Sequence, residues 1–174
     1  ILSGFDIDGE NQKSWLENSL KSSDAKWKVI ISPVIFNPRY MDALHDQKIA
    51  QLSPKLQKGI VDKWAGFPED IEFLKRLITD NSIDNVIMVS GDSHSSYIDD
   101  GENSFIPEIS SSNLDTKNSK IGFLIQLAGY NIWNQGSYND DSHAYGRISF
   151  FFGEEEYAML EVVDQKGAVV LSYK

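Results

Sequence analysis

Apolar residues along this chain fall into short, sharply bounded runs, and the spacing within each run assigns it to helix or strand. Trp15, Leu16 and Leu20 give a short helical stripe, and Asp8 stands where an N-cap is needed, so a first helix is predicted over Glu10 to Lys21. Trp27-Lys-Val-Ile-Ile-Ser32 is a continuous run that Pro33 stops, and it predicts a buried strand. Pro68-Glu69-Asp70 opens another helix, with Pro at its first position, acids in its first turn and Ile71, Leu74, Leu77 and Ile78 as its buried face. Asn85 to Ser90 predicts the next strand, and the order strand, helix, strand predicts a parallel pair with a right-handed crossover. Phe105 to Ile109 predicts a further short strand. The connection from Asn37 to Phe67 is long, with part of it, near Pro54 to Trp64, predicted helical.

The last third has a different rhythm. Arg147 to Phe152, Tyr157 to Val163 and Ala168 to Tyr173 read as three strands, separated by the turn-like breaks Gly153-Glu-Glu-Glu and Asp164-Gln-Lys-Gly167. This predicts a C-terminal antiparallel meander and, with the earlier elements, an α/β fold of mixed β-sheet layers flanked by helices. Trp15, Trp27, Phe73 and the aromatics from Phe150 to Phe152 are assigned to the core.

Composition narrows the partners. The chain has 174 residues, 41% of them hydrophobic and 24% charged, which suits one domain with a real core. Its net charge of -10 argues against nucleic acid and anionic membranes, which need clustered Lys and Arg. No cysteine is present, which excludes disulfides, thiolate catalysis and Cys-based zinc sites. No apolar run approaches the length of a membrane span. The chain begins Ile1-Leu2-Ser3-Gly4, without Met and without a signal-like segment, and reads as a mature fragment or the later part of a longer polypeptide.

Candidate chemistry concentrates where the Asn85 to Ser90 run ends in Gly91-Asp92-Ser93-His94. In α/β proteins, sites gather at such carboxyl ends of strands. Asp92 and His94 are two apart, so an extended backbone would point both side chains the same way, where a carboxylate and an imidazole can bind a metal ion. The bland alternative is a strand-to-loop turn, with Asp92 capping backbone amides and His94 half exposed. Gly91-Asp92-Ser93 also resembles the nucleophile block of GDSL-type serine esterases, and Asp140-Asp141-Ser142-His143 resembles their Asp-x-x-His block. In that alternative Ser93 attacks, His143 takes its proton and Asp140 orients the imidazole. The polar loop Asn139 to His143 could instead be solvated or hold calcium, whereas Asp99-Asp100-Gly101-Glu102 lacks the EF-hand spacing and reads as a turn.

Several stretches in order resemble the C-terminal half of the PhoD-like alkaline phosphatases, a branch of the calcineurin-like metallophosphoesterases. They are Gly9-Glu-Asn-Gln-Lys-Ser-Trp15-Leu16, Ser23-Asp-Ala-Lys-Trp27-Lys-Val-Ile30, Asp62-x-Trp64-x-Gly66-Phe67-Pro68, Asn85 to His94, and Glu108 to Ser112. The resemblance implies a metallophosphoesterase-like αββα sandwich, with residues 1–174 as the C-terminal portion of one domain. It implies hydrolysis of phosphoesters by hydroxide attack on phosphorus at two or more metal ions, iron with calcium or other divalent ions. Asp92 and His94 are then the metal ligands, and through the bound metal the catalytic residues. The family's early ligand motifs have no match here. The resemblance therefore implies a partner, an N-terminal segment of the same protein or a companion chain, and a periplasmic or secreted location. A non-catalytic binding domain is the remaining alternative.

Overall fold

The computed structural model describes residues 2, 11–45, 63–115, 129–138 and 143–174. Helix α1 (Gln12–Ser22) begins at Asn11, whose side-chain oxygen accepts from the Ser14 backbone N–H at 2.9 Å. Asn11, not Asp8, is therefore the N-cap of the described helix; Asp8 lies outside the described residues. Strand β1 (Lys28–Ile31) follows, then α2 (Arg39–His45), a single 3-10 turn (Trp64–Gly66) and α3 (Pro68–Asp80). The helix expected near Pro54 to Trp64 falls mostly outside the described residues. Strands β2 (Val86–Ser90), β3 (Ser96–Asp99), β4 (Glu108–Ser111) and β5 (Ser137–Tyr138) come next. The chain ends in β6 (Ala144–Phe151), β7 (Tyr157–Asp164) and β8 (Val169–Tyr173).

The first five strands form one mixed sheet in the order β1-β2-β4-β3-β5. β1, β2 and β4 run parallel, and β3 is antiparallel to both β4 and β5. The last three strands form the antiparallel meander β6-β7-β8. The layers follow from alternation along the strands. Ile30, Val86 and Met88 face the helices, packing with Leu16 and Leu20 of α1 and Leu74, Leu77 and Ile78 of α3. Ile87, Val89 and Ile109 face the meander and meet Ala144, Ala158, Leu160 and Val162. β2 is thus covered on both faces, which is why its sequence is a continuous apolar run. Gly146 lets β6 pass close to β4: a Cβ there would come within 3.2 Å of the Ser111 Cβ.

Three expectations need correction. The strand near Phe105 starts later, at Glu108, because Phe105 takes a left-handed backbone (φ 54°) that a strand cannot hold. β3 was hidden because its Ser and Asp are buried polar residues. Asp99 spends its carboxylate on the following turn, accepting from the Gly101 and Asn103 backbone N–H groups at 3.0 and 3.3 Å and from the Ser104 hydroxyl at 2.9 Å. Trp15 and the aromatics from Phe150 to Phe152 are not core: Trp15 is 42% exposed and Phe150, Phe151 and Phe152 are 36%, 44% and 69% exposed, while Leu16 and Leu20 of α1 turn inward.

α1 and α3 are tied together by Asp70, which is buried in the first turn of α3. It pairs with Lys13 at 2.7 Å and accepts from the Leu2 backbone N–H at 2.9 Å. Burial works to raise the Asp70 pKa, but Lys13, the Leu2 amide and the positive charge of the amino terminus together outweigh it and bring the value from 3.8 to about 2. A carboxyl with a depressed folded-state pKa stabilises the fold above its unfolded pKa, and that contribution is lost as pH falls through the folded value. Asp70→Asn is expected to lower stability near neutral pH by roughly 1–2 kcal/mol. The deficit should shrink below pH 3.8 and close near pH 2, as read from urea unfolding across a pH series.

Candidate functional site

Because β1, β2 and β4 are parallel, their carboxyl ends lie along one edge of the sheet. Ser32-Pro33 leaves β1 there, Gly91 to Ser95 leaves β2, and Ser110 to Ser112 ends β4. The Ser32 backbone N–H still donates to the Val89 carbonyl at 2.8 Å, so the first two exits run side by side. A side chain at Gly91 would start 3.4 Å from the Pro33 carbonyl oxygen.

The foundation of this edge is Glu108, fully buried on β4. One carboxylate oxygen accepts from the Phe36 N–H at 2.9 Å, the Ser90 hydroxyl at 2.5 Å and the Tyr97 hydroxyl at 3.2 Å; the other accepts from the Asn37 N–H at 2.9 Å. Burial pushes the Glu108 carboxyl above its ordinary range, against four hydrogen bonds that favour the ionised form. The Tyr97 hydroxyl is also pushed up, by burial and by the adjacent Glu108. Ser90 is the last residue of β2, so this network fixes the point from which the Asp92 and His94 loop departs.

That loop does not have the extended backbone expected from its sequence. Asp92 and His94 both take left-handed conformations, with φ of 63° and 51°. For residues other than Gly this is uncommon, although Asp and His enter it more readily than most, and such conformations gather where the surroundings over-determine the chain. Ser93 between them is held by a serine cluster: its hydroxyl contacts Ser112 at 2.7 Å and Ser110 at 3.3 Å and donates to the Ser95 carbonyl at 3.1 Å. Asp92 does not cap backbone amides. Its Oδ2 accepts from the Lys63 ammonium, while the side chain remains 51% exposed. His94 is exposed and has no hydrogen-bond partner among the described residues.

Ser93 makes no hydrogen bond to His143, and Asp140 lies outside the described residues. His143 sits just before β6, its backbone carbonyl accepting from Gln165 at 2.9 Å. No group of three or more His, Cys, Asp or Glu converges among the described residues; Asp92 and His94 are two donor side chains on the loop that leaves β2. Lys63 and Glu108 escaped the sequence reading as site residues. Lys63 lies inside the Asp62-x-Trp64 motif, and Glu108 shares a strand face with Ser110, which marks a buried polar register rather than a surface one.

Comparison with known proteins gives a consistent result. The family model for PhoD-like phosphatase matches residues 4–149. Alkaline phosphatase D of Bacillus subtilis (strain 168) is 29% identical over 89 residues, which are 51% of this chain and 14% of that protein. A solved structure of PhoD superposes with a TM-score of 0.54 at 20% identity, over 95% of this chain and 35% of that one. The chain therefore spans about a third of that solved chain. No described helix is long and apolar enough to cross a membrane.

Glu108→Ala would leave two buried backbone N–H groups without an acceptor and the Ser90 and Tyr97 hydroxyls with their 3.3 Å contact to each other in place of the carboxylate. It is expected to cost about 3–5 kcal/mol in denaturant unfolding. Ser112→Ala, which removes a single hydroxyl from a half-buried cluster, should cost about 1 kcal/mol.

Proposed function

The chain belongs to the PhoD-like phosphatase family, and on that premise we propose that it is the C-terminal portion of one phosphoester-hydrolysing metallophosphoesterase domain. The observation that carries this reading is the Gly91 to His94 loop: two chemistry-bearing side chains on a strained backbone, at the shared carboxyl end of three parallel strands. Asp92 and His94 would hold a metal ion. Their chemistry fits, since a carboxylate oxygen and an imidazole nitrogen suit several divalent and trivalent ions. Asp92 Oδ1 has no partner among the described residues, and the His94 ring is equally unengaged. When bound, such a metal acidifies a water molecule to serve as nucleophile and neutralises charge on the phosphoryl oxygens. Iron with calcium, or other divalent ions, would fill this role.

The remaining donors are proposed to come from an N-terminal segment of the same protein or from a companion chain. Two open edges support this. β1 and β6 each have one strand neighbour among the described residues, and Trp27, just before β1, packs on Phe150 of β6 at 5.5 Å. Val29 and Ile31 of β1 face the meander's side of the sheet yet remain 41% and 79% exposed. Apolar edges of this kind ordinarily carry cover. The reading also carries a periplasmic or secreted location, which cell fractionation would check.

The deciding experiment is phosphatase assay of the complete protein on a small aryl phosphate. Chelation is expected to abolish activity. His94→Ala should lower it by at least about two orders of magnitude even with metal resupplied. Ser93→Ala should retain most of it. Full activity in the His94 variant sinks the proposal, and a dead Ser93 variant with chelator-resistant wild type restores the serine-esterase alternative.

A further inference from the structure

We propose that Lys63 is a positioning residue for Asp92, holding Oδ2 so that Oδ1 is the oxygen available to the metal. The inference rests on the reading of Asp92 as a ligand.

Lys63 is only 8% exposed, an unusual position for a lysine unless its ammonium is paired. Its backbone is fixed from several sides. The Trp64 N–H donates to the Ile35 carbonyl at 3.4 Å, the Gly66 N–H to the Lys63 carbonyl at 2.9 Å, and the Trp64 indole N–H to the Ser32 hydroxyl at 2.9 Å. The Trp64 ring also meets Phe36 edge-on at 5.2 Å. Ile35, Ser32 and Phe36 lie on the segment that leaves β1, and Glu108 binds that same segment at Phe36 and Asn37. The ammonium thus reaches Asp92 from a rigid base.

On Asp92, the bond goes to Oδ2 alone, and Oδ1 has no partner among the described residues. The carboxylate sits on a left-handed backbone, one residue after Gly91 and one before the bonded Ser93. An outer partner that restrains one oxygen orients the other, and such partners typically contribute ten- to hundredfold in metal affinity. A lysine that merely competed for the carboxylate would act with the opposite sign, because removing a positive charge beside a ligand tightens metal binding. The direction of the effect therefore decides the role.

The test is Mn²⁺ titration of the complete protein, with free ion read by electron paramagnetic resonance and folding checked by near-ultraviolet circular dichroism. Wild type, Lys63→Met, Lys63→Gln, Lys63→Arg, Asp92→Asn and His94→Ala are compared. The expected result is Mn²⁺ binding about 10- to 100-fold weaker in Lys63→Met and Lys63→Gln. Lys63→Arg should recover part of that loss, and aryl phosphatase activity in Lys63→Met should return as Mn²⁺ is raised. Binding as tight as wild type or tighter in folded Lys63→Met and Lys63→Gln, with Asp92→Asn impaired, overturns the Lys63 role and leaves the metal reading standing. If Asp92→Asn and His94→Ala both bind Mn²⁺ as wild type does, the metal reading itself fails and the Lys63 role falls with it.

Discussion

One buried carboxylate governs how this part of the molecule is assembled. Taking a charged carboxylate out of water costs several kcal/mol, and only converging donors offset it. Glu108 meets four, and they come from the β1–α2 connection, the end of β2 and the middle of β3. Of these segments only β3 neighbours β4 in sequence. The network therefore forms only when three strands and a loop are already in register, and it penalises arrangements that leave the carboxylate unpaired. Tyr97 extends the coupling outward, since its ring stacks on Trp133 at 4.3 Å. Asn37 does so too, its side-chain amide donating to the Ile132 carbonyl at 2.7 Å.

This order is passed on to the chemistry. Ser90 bonds to Glu108, and two residues later the backbone enters the left-handed region at Asp92 and does so again at His94. Such conformations cost of order 1–3 kcal/mol each and persist only where neighbours enforce them. Here the enforcement is visible. Gly91 runs beside Pro33, Ser93 is locked into the Ser95 and Ser112 cluster, and Lys63 holds the Asp92 side chain. The loop is exposed yet specified at every residue up to the imidazole, which is the condition for presenting two donors in a fixed relation.

How far the sequence reveals this depends on what kind of force shapes each part. β2 and α3 were legible because burial of apolar surface leaves a period in the sequence: Val86 to Val89 as a continuous run, and Ile71 to Ile78 as a stripe behind Pro68. The meander was legible for the same reason, its strands shifted by a few residues. β3 was not, because Ser96 and Asp99 are buried through hydrogen bonds, and hydrogen bonding leaves no hydrophobic period. The Asp92 and His94 loop follows β2 as expected but has a different backbone, since Asp and His enter the left-handed region more readily than most residues but only the surrounding contacts decide that they do so here. Lys63 and Asp92 are 29 apart in the chain, and a pairing at that separation is a product of tertiary structure. The core assignment of Trp15 and the aromatics from Phe150 to Phe152 failed where apolar side chains lie on faces that the described residues leave open.

Those open faces and the two-donor loop have a common geometric consequence. β1 is the outer strand of the mixed sheet, one place from β2. Neighbouring strands lie about 4.8 Å apart, so a strand added in parallel to β1 would end about 10 Å from the end of β2. Side chains leaving that end would reach toward Asp92 and His94 across Ser32-Pro33, where β1 itself offers no charged or imidazole side chain. The same strand would cover Val29 and Ile31, which already face the meander's side of the sheet in register with Ile87 and Val89. On the proposed reading, then, completing the hydrophobic layer and completing the ligand set are one structural act: the edge that needs apolar cover is the edge from which further donors can reach the loop.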